Sequence, residues 1–203
     1  MGVSHWDVKG ECLHQWSHPS RARDFCVTPD GTQPIVANVE RELIFYDLQS
    51  DNVVCLPLEA KPTSVVASQD RKTILVDLAS GEVQLIDIET KAVVRSFRGQ
   101  HAGTFVITSI FFGPEESLIV SGSEDGRVYI WDRNNGALLD ILEGHGFGCV
   151  DSISVNPANP DMLVSTGDDC TSRVWSRQQS GDTEDWSDVE MVPIDGLGGY
   201  FVN

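Results

Sequence analysis

The chain has 203 residues, 40% of them hydrophobic and 22% charged, a balance that suits a globular core. No stretch approaches the roughly 18 apolar residues that span a membrane, and the first ten residues lack the basic and apolar regions of a signal peptide. A net charge of −17 opposes capture of a phosphate backbone, so nucleic acid is not an expected partner. No membrane and no small-molecule substrate is expected either.

Along the chain one unit keeps returning. Residues 1–16 hold a strand ending at Trp6-Asp7 and a second strand at 12–16. The next unit, about 17–59, contains DFCVTPDGTQPIVANVERELIFYDL: a Pro-Asp-Gly turn, an apolar strand, a strand closing on Tyr46-Asp47, then a fourth strand at 53–56. Unit 60–98 closes its third strand on Ile86-Asp87 and adds a strand at 92–97. In unit 99–143, SLIVS and RVYIW flank an Asp125-Gly126 turn, a strong hairpin signal, and the third strand closes on Trp131-Asp132 before a strand at 137–142. Unit 144–178 ends its third strand at Trp175-Ser176.

The four closing Asp residues are 40, 40 and 45 residues apart, and Trp175 follows Trp131 by 44. No window shows sustained helical periodicity. Four short strands at this period predict an all-β fold of antiparallel four-stranded blades, a WD40-type β-propeller. The count is incomplete: about four blades and a remnant strand pair. Residues 179–203 read as an acidic, flexible tail. Arg177 is the last basic residue, and Asp182, Glu184, Asp185, Asp188, Glu190 and Asp195 follow it. Gly196-Leu197-Gly198-Gly199 lacks the following helix that a phosphate cradle needs.

The chemistry-bearing residues point to architecture. Cys12, Cys26, Cys55, Cys149 and Cys170 are odd in number and form no CxxC pair, so reduced thiols are expected. His5, His14 and His18 show no metal-ligand spacing. No cofactor or metal is predicted.

His145, Ser165, Asp169 and Trp175 include the residue types of a nucleophilic triad. Their slots in the blade (loop, second strand, hairpin, third strand) instead suit a hydrogen-bonded structural tetrad. Ser121, Asp125 and Trp131 repeat the Ser-to-Asp spacing of four and the Asp-to-Trp spacing of six, and His101 is the expected fourth member. A repeated set argues for scaffold, because an active site is normally unique. In unit 60–98, Asp77 and Ser80 do not match the spacing, and no tetrad is expected there.

Three stretches carry a closer likeness: the long insert beginning GQHAGTFVITSIFFG at 99–113, the SLIVSGSEDGRVYIWDRNNGALLDILEGH run, and VDSISVNPANPDMLVSTGDDCTSRVWS at 150–176. With the two weak units before them, they resemble the WD repeat-containing protein 26 family, over residues 20–177. That family supplies the WD-repeat subunit of the GID/CTLH ubiquitin ligase. The resemblance implies a non-enzymatic adaptor that recruits substrates for ubiquitylation and proteasomal degradation, with ligase subunits and substrates as partners, in the cytoplasm and also the nucleus. The alternative is a general WD40 scaffold in a signalling or transcriptional complex. The family also carries a LisH-CTLH helical region and a ring usually of seven or more blades, and these residues contain neither. A truncated product, a ring completed by another chain, and an open arc of blades are the alternatives. In either functional reading the expected contact surface is the top face, with Phe105, Glu124, Phe147 and Asp168 as candidate binding residues.

Overall fold

The computed structural model describes residues 2–17, 21–50, 52–103 and 105–178, together with the backbone of 190–193. It contains one two-stranded and four four-stranded sheets, every neighbouring pair antiparallel and consecutive in sequence. The first pairs β1 (Gly2–Trp6) with β2 (Cys12–Ser17). The second is β3 (Ala22–Val27), β4 (Pro34–Asn38), β5 (Glu42–Tyr46) and β6 (Val53–Pro57). The third is β7 (Pro62–Ala67), β8 (Thr73–Leu78), β9 (Val83–Asp87) and β10 (Val93–Phe97). The fourth is β11 (Ile110–Phe112), β12 (Leu118–Gly122), β13 (Arg127–Asp132) and β14 (Leu138–Glu143). The fifth is β15 (Val150–Asn156), β16 (Asn159–Gly167), β17 (Ser172–Gln178) and β18 (Glu190–Pro193). The architecture is an incomplete β-propeller.

One departure from the sequence reading concerns the acidic tail. Residues 190–193 were assigned to it, yet they pair with β17 from Trp175–Pro193 to Gln178–Glu190. A third strand left at the border of a sheet exposes a row of unpaired N–H and C=O groups, and β18 satisfies that row. The rest of the predicted tail lies outside the described residues.

Two kinds of turn explain why the sequence repeats as it does. In the second, third and fourth sheets the Asp that closes the third strand caps the hairpin that follows. Asp47 Oδ1 accepts the Gln49 N–H at 2.8 Å, Asp87 Oδ1 the Thr90 N–H at 2.7 Å, and Asp132 Oδ1 those of Asn134 and Asn135 at 2.7 and 2.9 Å. Between the second and third strands, one slot needs a left-handed backbone. Gly81 and Gly126 fill it at φ 83° and 79°, while Arg41 and Cys170 occupy it at φ 68° and 61° despite their Cβ atoms.

The core lies between the sheets. Middle strands bury both faces, which is why they read as unbroken apolar runs rather than alternating ones. Ile74 and Val76 of β8 join Ile35, Leu43 and Phe45 of the second sheet. Leu75, between them in sequence, points the other way and joins Phe111, Ile119 and Trp131 of the fourth. Leu118, Val120 and Ile130 then pack on Val150, Leu163 and Trp175 of the fifth. Trp16 closes the first seam against Val36, Ile44 and Tyr46.

A polar clasp reinforces the third and fourth sheets from outside the core. The Arg133 guanidinium bonds Asp70 and the Thr73 hydroxyl (2.7 Å), lies 3.5 Å from the Glu116 carboxylate, and stacks over Phe111.

Candidate functional site

The hairpins between second and third strands of the fourth and fifth sheets bond the loops leading into those sheets: the Glu124 N–H reaches the His101 carbonyl at 2.9 Å and the Asp168 N–H the Cys149 carbonyl at 3.0 Å. There the sequence-predicted residues separate into three groups.

His145, Ser165, Asp169 and Trp175 form one connected chain of hydrogen bonds. Trp175 Nε1–H donates to Ser165 Oγ at 2.8 Å, His145 Nε2 lies 2.8 Å from the same oxygen, and His145 Nδ1 lies 3.0 Å from Asp169 Oδ1. An indole N–H can only donate, so Ser165 Oγ accepts from it and its own O–H donates to Nε2, while Nδ1–H donates to the carboxylate. Asp169 also accepts the N–H groups of Gly146 and Thr171 at 3.1 and 3.0 Å and the Thr171 hydroxyl at 2.8 Å. Burial opposes its ionisation. The His145 ring, the Thr171 hydroxyl and the two N–H groups outweigh that and hold the carboxyl below its ordinary range.

These contacts match the connectivity of a catalytic triad, but the access does not. The His145 side chain is 1% exposed, Ser165 is fully buried, and the Ser165 oxygen already receives the indole N–H. A nucleophile so enclosed has no face left for a reacting carbonyl. What the arrangement does is tie loop, second strand, hairpin and third strand of one sheet together.

The expected second set, His101, Ser121, Asp125 and Trp131, does not assemble. The Ser121 hydroxyl turns to the Gly122 carbonyl at 3.0 Å, the Trp131 indole to the Arg98 carbonyl at 3.2 Å, and Asp125 accepts the Tyr129 hydroxyl at 2.8 Å. His101 is exposed, and its backbone N–H bonds Ser123 Oγ at 2.9 Å. The reason is loop register. Gly99 corresponds to Gly144, so Gln100 stands in the place of His145 and His101 is carried one residue outward. Gln100 is buried, and its Oε1 has no hydrogen-bond partner. Matching Ser-to-Asp-to-Trp spacing concealed a shift at the fourth member.

The top-face candidates form matched pairs. Phe105 is 51% exposed and Phe147 72%, each in the loop leading into its sheet. Behind each stands an acid at the same hairpin position. Glu124 Oε1 accepts the N–H groups of Gly103 and Phe105, both at 2.8 Å, and Asp168 Oδ2 accepts the N–H of Cys149 at 3.0 Å. Gly148 has φ 81°, and a Cβ there would meet the Asp168 Cβ at 2.5 Å, so the loop closes tightly on its acid. Glu124 and Asp168 therefore shape the loops, and the aromatic rings are what those loops present. Thr104 lies outside the described residues.

Residues 91–132 and 136–176 each match the WD40 model (WD domain, G-beta repeat). Each matched unit begins in the turn before the last strand of one sheet and ends in the third strand of the next. This is a WD40-repeat protein. The chain is 33% identical over 186 residues to GID complex subunit 7 of Schizosaccharomyces pombe, covering 88% of this chain and 36% of that protein. It is 36% identical over 178 residues to the WD repeat-containing protein WDS homolog of Arabidopsis thaliana, covering 86% of this chain and 34% of the relative. Against the WD repeat-containing protein 26 homolog of Drosophila melanogaster it is 43% identical over 97 residues, 48% of this chain and 15% of the relative. The likeness in sequence to the WD repeat-containing protein 26 and GID family thus runs through most of this WD40 chain, which spans about a third of the length of the first two relatives.

Two residues escaped sequence reasoning. Gln100 takes the inward slot that spacing gives to the histidine beside it. Asp77 lacks tetrad spacing, and its signal is that it is a lone acid inside the apolar run TILVDL.

Proposed function

We propose that this WD40 chain is a non-catalytic adaptor of a GID/CTLH-type ubiquitin ligase, bringing substrates to the assembly for proteasomal degradation. Its proposed place of action is the cytoplasm, and the nucleus as well. The observation that carries this reading is the similarity to GID complex subunit 7 over 88% of the chain. The geometry supports it: the triad-like residues are enclosed, while two exposed aromatic rings stand on acid-braced loops of a rigid sheet stack. Rigid loops carrying aromatic anchors suit protein recognition. Affinity purification of the tagged full-length protein from its own cells, followed by mass spectrometry, tests the proposal. Recovery of RING and CTLH subunits is expected. Their absence, with other complexes recovered instead, would favour the general WD40 scaffold.

A further inference from the structure

The seam between the third and fourth sheets closes differently from the seam after it. At the end of β12 stands Gly122, where a Cβ would lie 2.0 Å from the Val150 carbonyl oxygen. The fourth and fifth sheets therefore meet backbone to backbone, and the Val150 N–H reaches the Ser123 carbonyl at 2.9 Å. One sheet earlier the same position is occupied by Asp77, as the cross-strand pairs Gly122–Val128 and Asp77–Val83 establish. A carboxyl there takes the place of a direct backbone contact.

Asp77 is 6% exposed. Its Oδ2 accepts the Ser109 N–H at 2.9 Å and the Ser64 hydroxyl, and its Oδ1 meets the Ser109 hydroxyl at 2.5 Å. Ser64 belongs to β7 and Ser109 ends the loop that leads into β11, so one side chain joins two strands of its own sheet to the next sheet's loop. That loop leaves twelve residues between β10 and β11, against six between β14 and β15, and it carries Phe105. The charged neighbours are few. Asp24 of β3 lies close enough to repel and itself accepts the Val65 N–H at 2.9 Å. Arg23 and Glu82 line the adjoining cleft, and Glu82 is paired with Arg98 at 2.9 Å. His101, on the loop, is exposed. Among the described residues no Lys, Arg or His bonds the Asp77 carboxyl.

A carboxylate buried without a cation is costly, and a second acid beside it adds to the cost. Burial pushes the Asp77 carboxyl up from the ordinary carboxylate range, the hydrogen bonds from Ser109 and Ser64 only partly offset it, and Asp24 pushes the same way. The folded state binds this proton more tightly than the unfolded chain does. Its contribution is present at low pH and is lost as pH rises through the folded value.

We propose that Asp77 is a proton-sensitive clasp, which holds the long loop of the fourth sheet against the third when neutral and slackens it when ionised. Its consequence for partner binding rests on reading the Phe105 loop as contact surface, but the clasp itself does not. The test uses the 203-residue chain with 13C-labelled Asp and backbone amide exchange. The Asp77 carboxyl carbon should titrate above the usual aspartate value of about 4. Protection at the Ser109 amide, corrected for intrinsic rate, should fall as pH rises from about 4 to that midpoint, by up to about tenfold per pH unit, and level off above it. Asp77→Asn should hold the loop protected with no such dependence. A carboxyl that titrates at or below the usual value overturns the proposal, and that readout needs no variant to fold. Parallel pH profiles for the wild-type chain and Asp77→Asn overturn it equally. Failure to recover ligase subunits would leave either result intact.

Discussion

A hydrogen-bonded side chain is worth most where losing it strands a buried partner, and Asp169 is such a case. Its removal leaves His145 Nδ1–H and the Gly146 and Thr171 N–H groups without their acceptor. Asp169→Ala should destabilise the fold by about 1 to 3 kcal/mol, read as a lower midpoint in urea. The carboxyl lies below its ordinary range, so the stability it contributes is present above about pH 4 and fades as pH falls toward the folded value. Asp169→Asn should therefore show a shallower loss of Tm below about pH 4 than the wild-type chain; superimposable slopes would exclude this linkage. Glu124 acts more locally. Its replacement by Ala should raise amide exchange at Gly103 and Phe105 by about tenfold or more, as expected for losing charge-assisted bonds, with little change in global stability. Unchanged exchange would mean that the loop holds its own shape. At this scale the sequence disclosed one tetrad because loop, strand and hairpin kept their spacing. It could not disclose that His101 is turned outward, because which of Gln100 and His101 faces inward depends on the path of a twelve-residue loop.

Strands and turns were the most legible level, for a physical reason. In the second to fourth sheets the hairpin after the third strand is fixed by a local Asp whose acceptor oxygen serves N–H groups two or three residues on, so the signal survives in the weak units as Asp47 and Asp87. The apolar runs of β4, β8 and β12 survive because both faces are buried. β18 was illegible because its pairing partner is twelve or more residues away across an acid-rich segment, and nothing local marks it. The contact between β12 and β15 depends on the absence of a side chain. Gly122→Ala would place a methyl against the Val150 carbonyl and should cost about 1 to 3 kcal/mol through overpacking. Gly146→Ala is the control: nothing lies within 4 Å of its added Cβ, so its effect should stay within about 0.5 kcal/mol. Equal thermal midpoints for the two variants would contradict the close approach.

Among the described residues, the sheets are held by four apolar seams, each shared by consecutive sheets. Ending the chain at Gln178 removes β18 and uncovers β17. Such a chain should self-associate, seen as heavier species in sedimentation velocity, while the full chain sediments as one lighter species; indistinguishable profiles would mean that β17 is guarded by other means. Blade number and register were legible from the period, because every unit solves the same packing problem. The chemistry of each seam was not, because it turns on single positions such as Gly122 and Asp77 whose neighbours belong to another unit.

Seams in series also govern how the molecule comes apart. A sheet whose contacts are only with the sheets beside it cannot report distant damage, and coupling between remote units weakens with every intervening seam. Heat or force should open this stack by segments rather than at one stroke. The tetrad-braced fifth sheet and the Asp77 junction would part under different conditions, and a protease would find its first cut at whichever junction the solvent had already loosened.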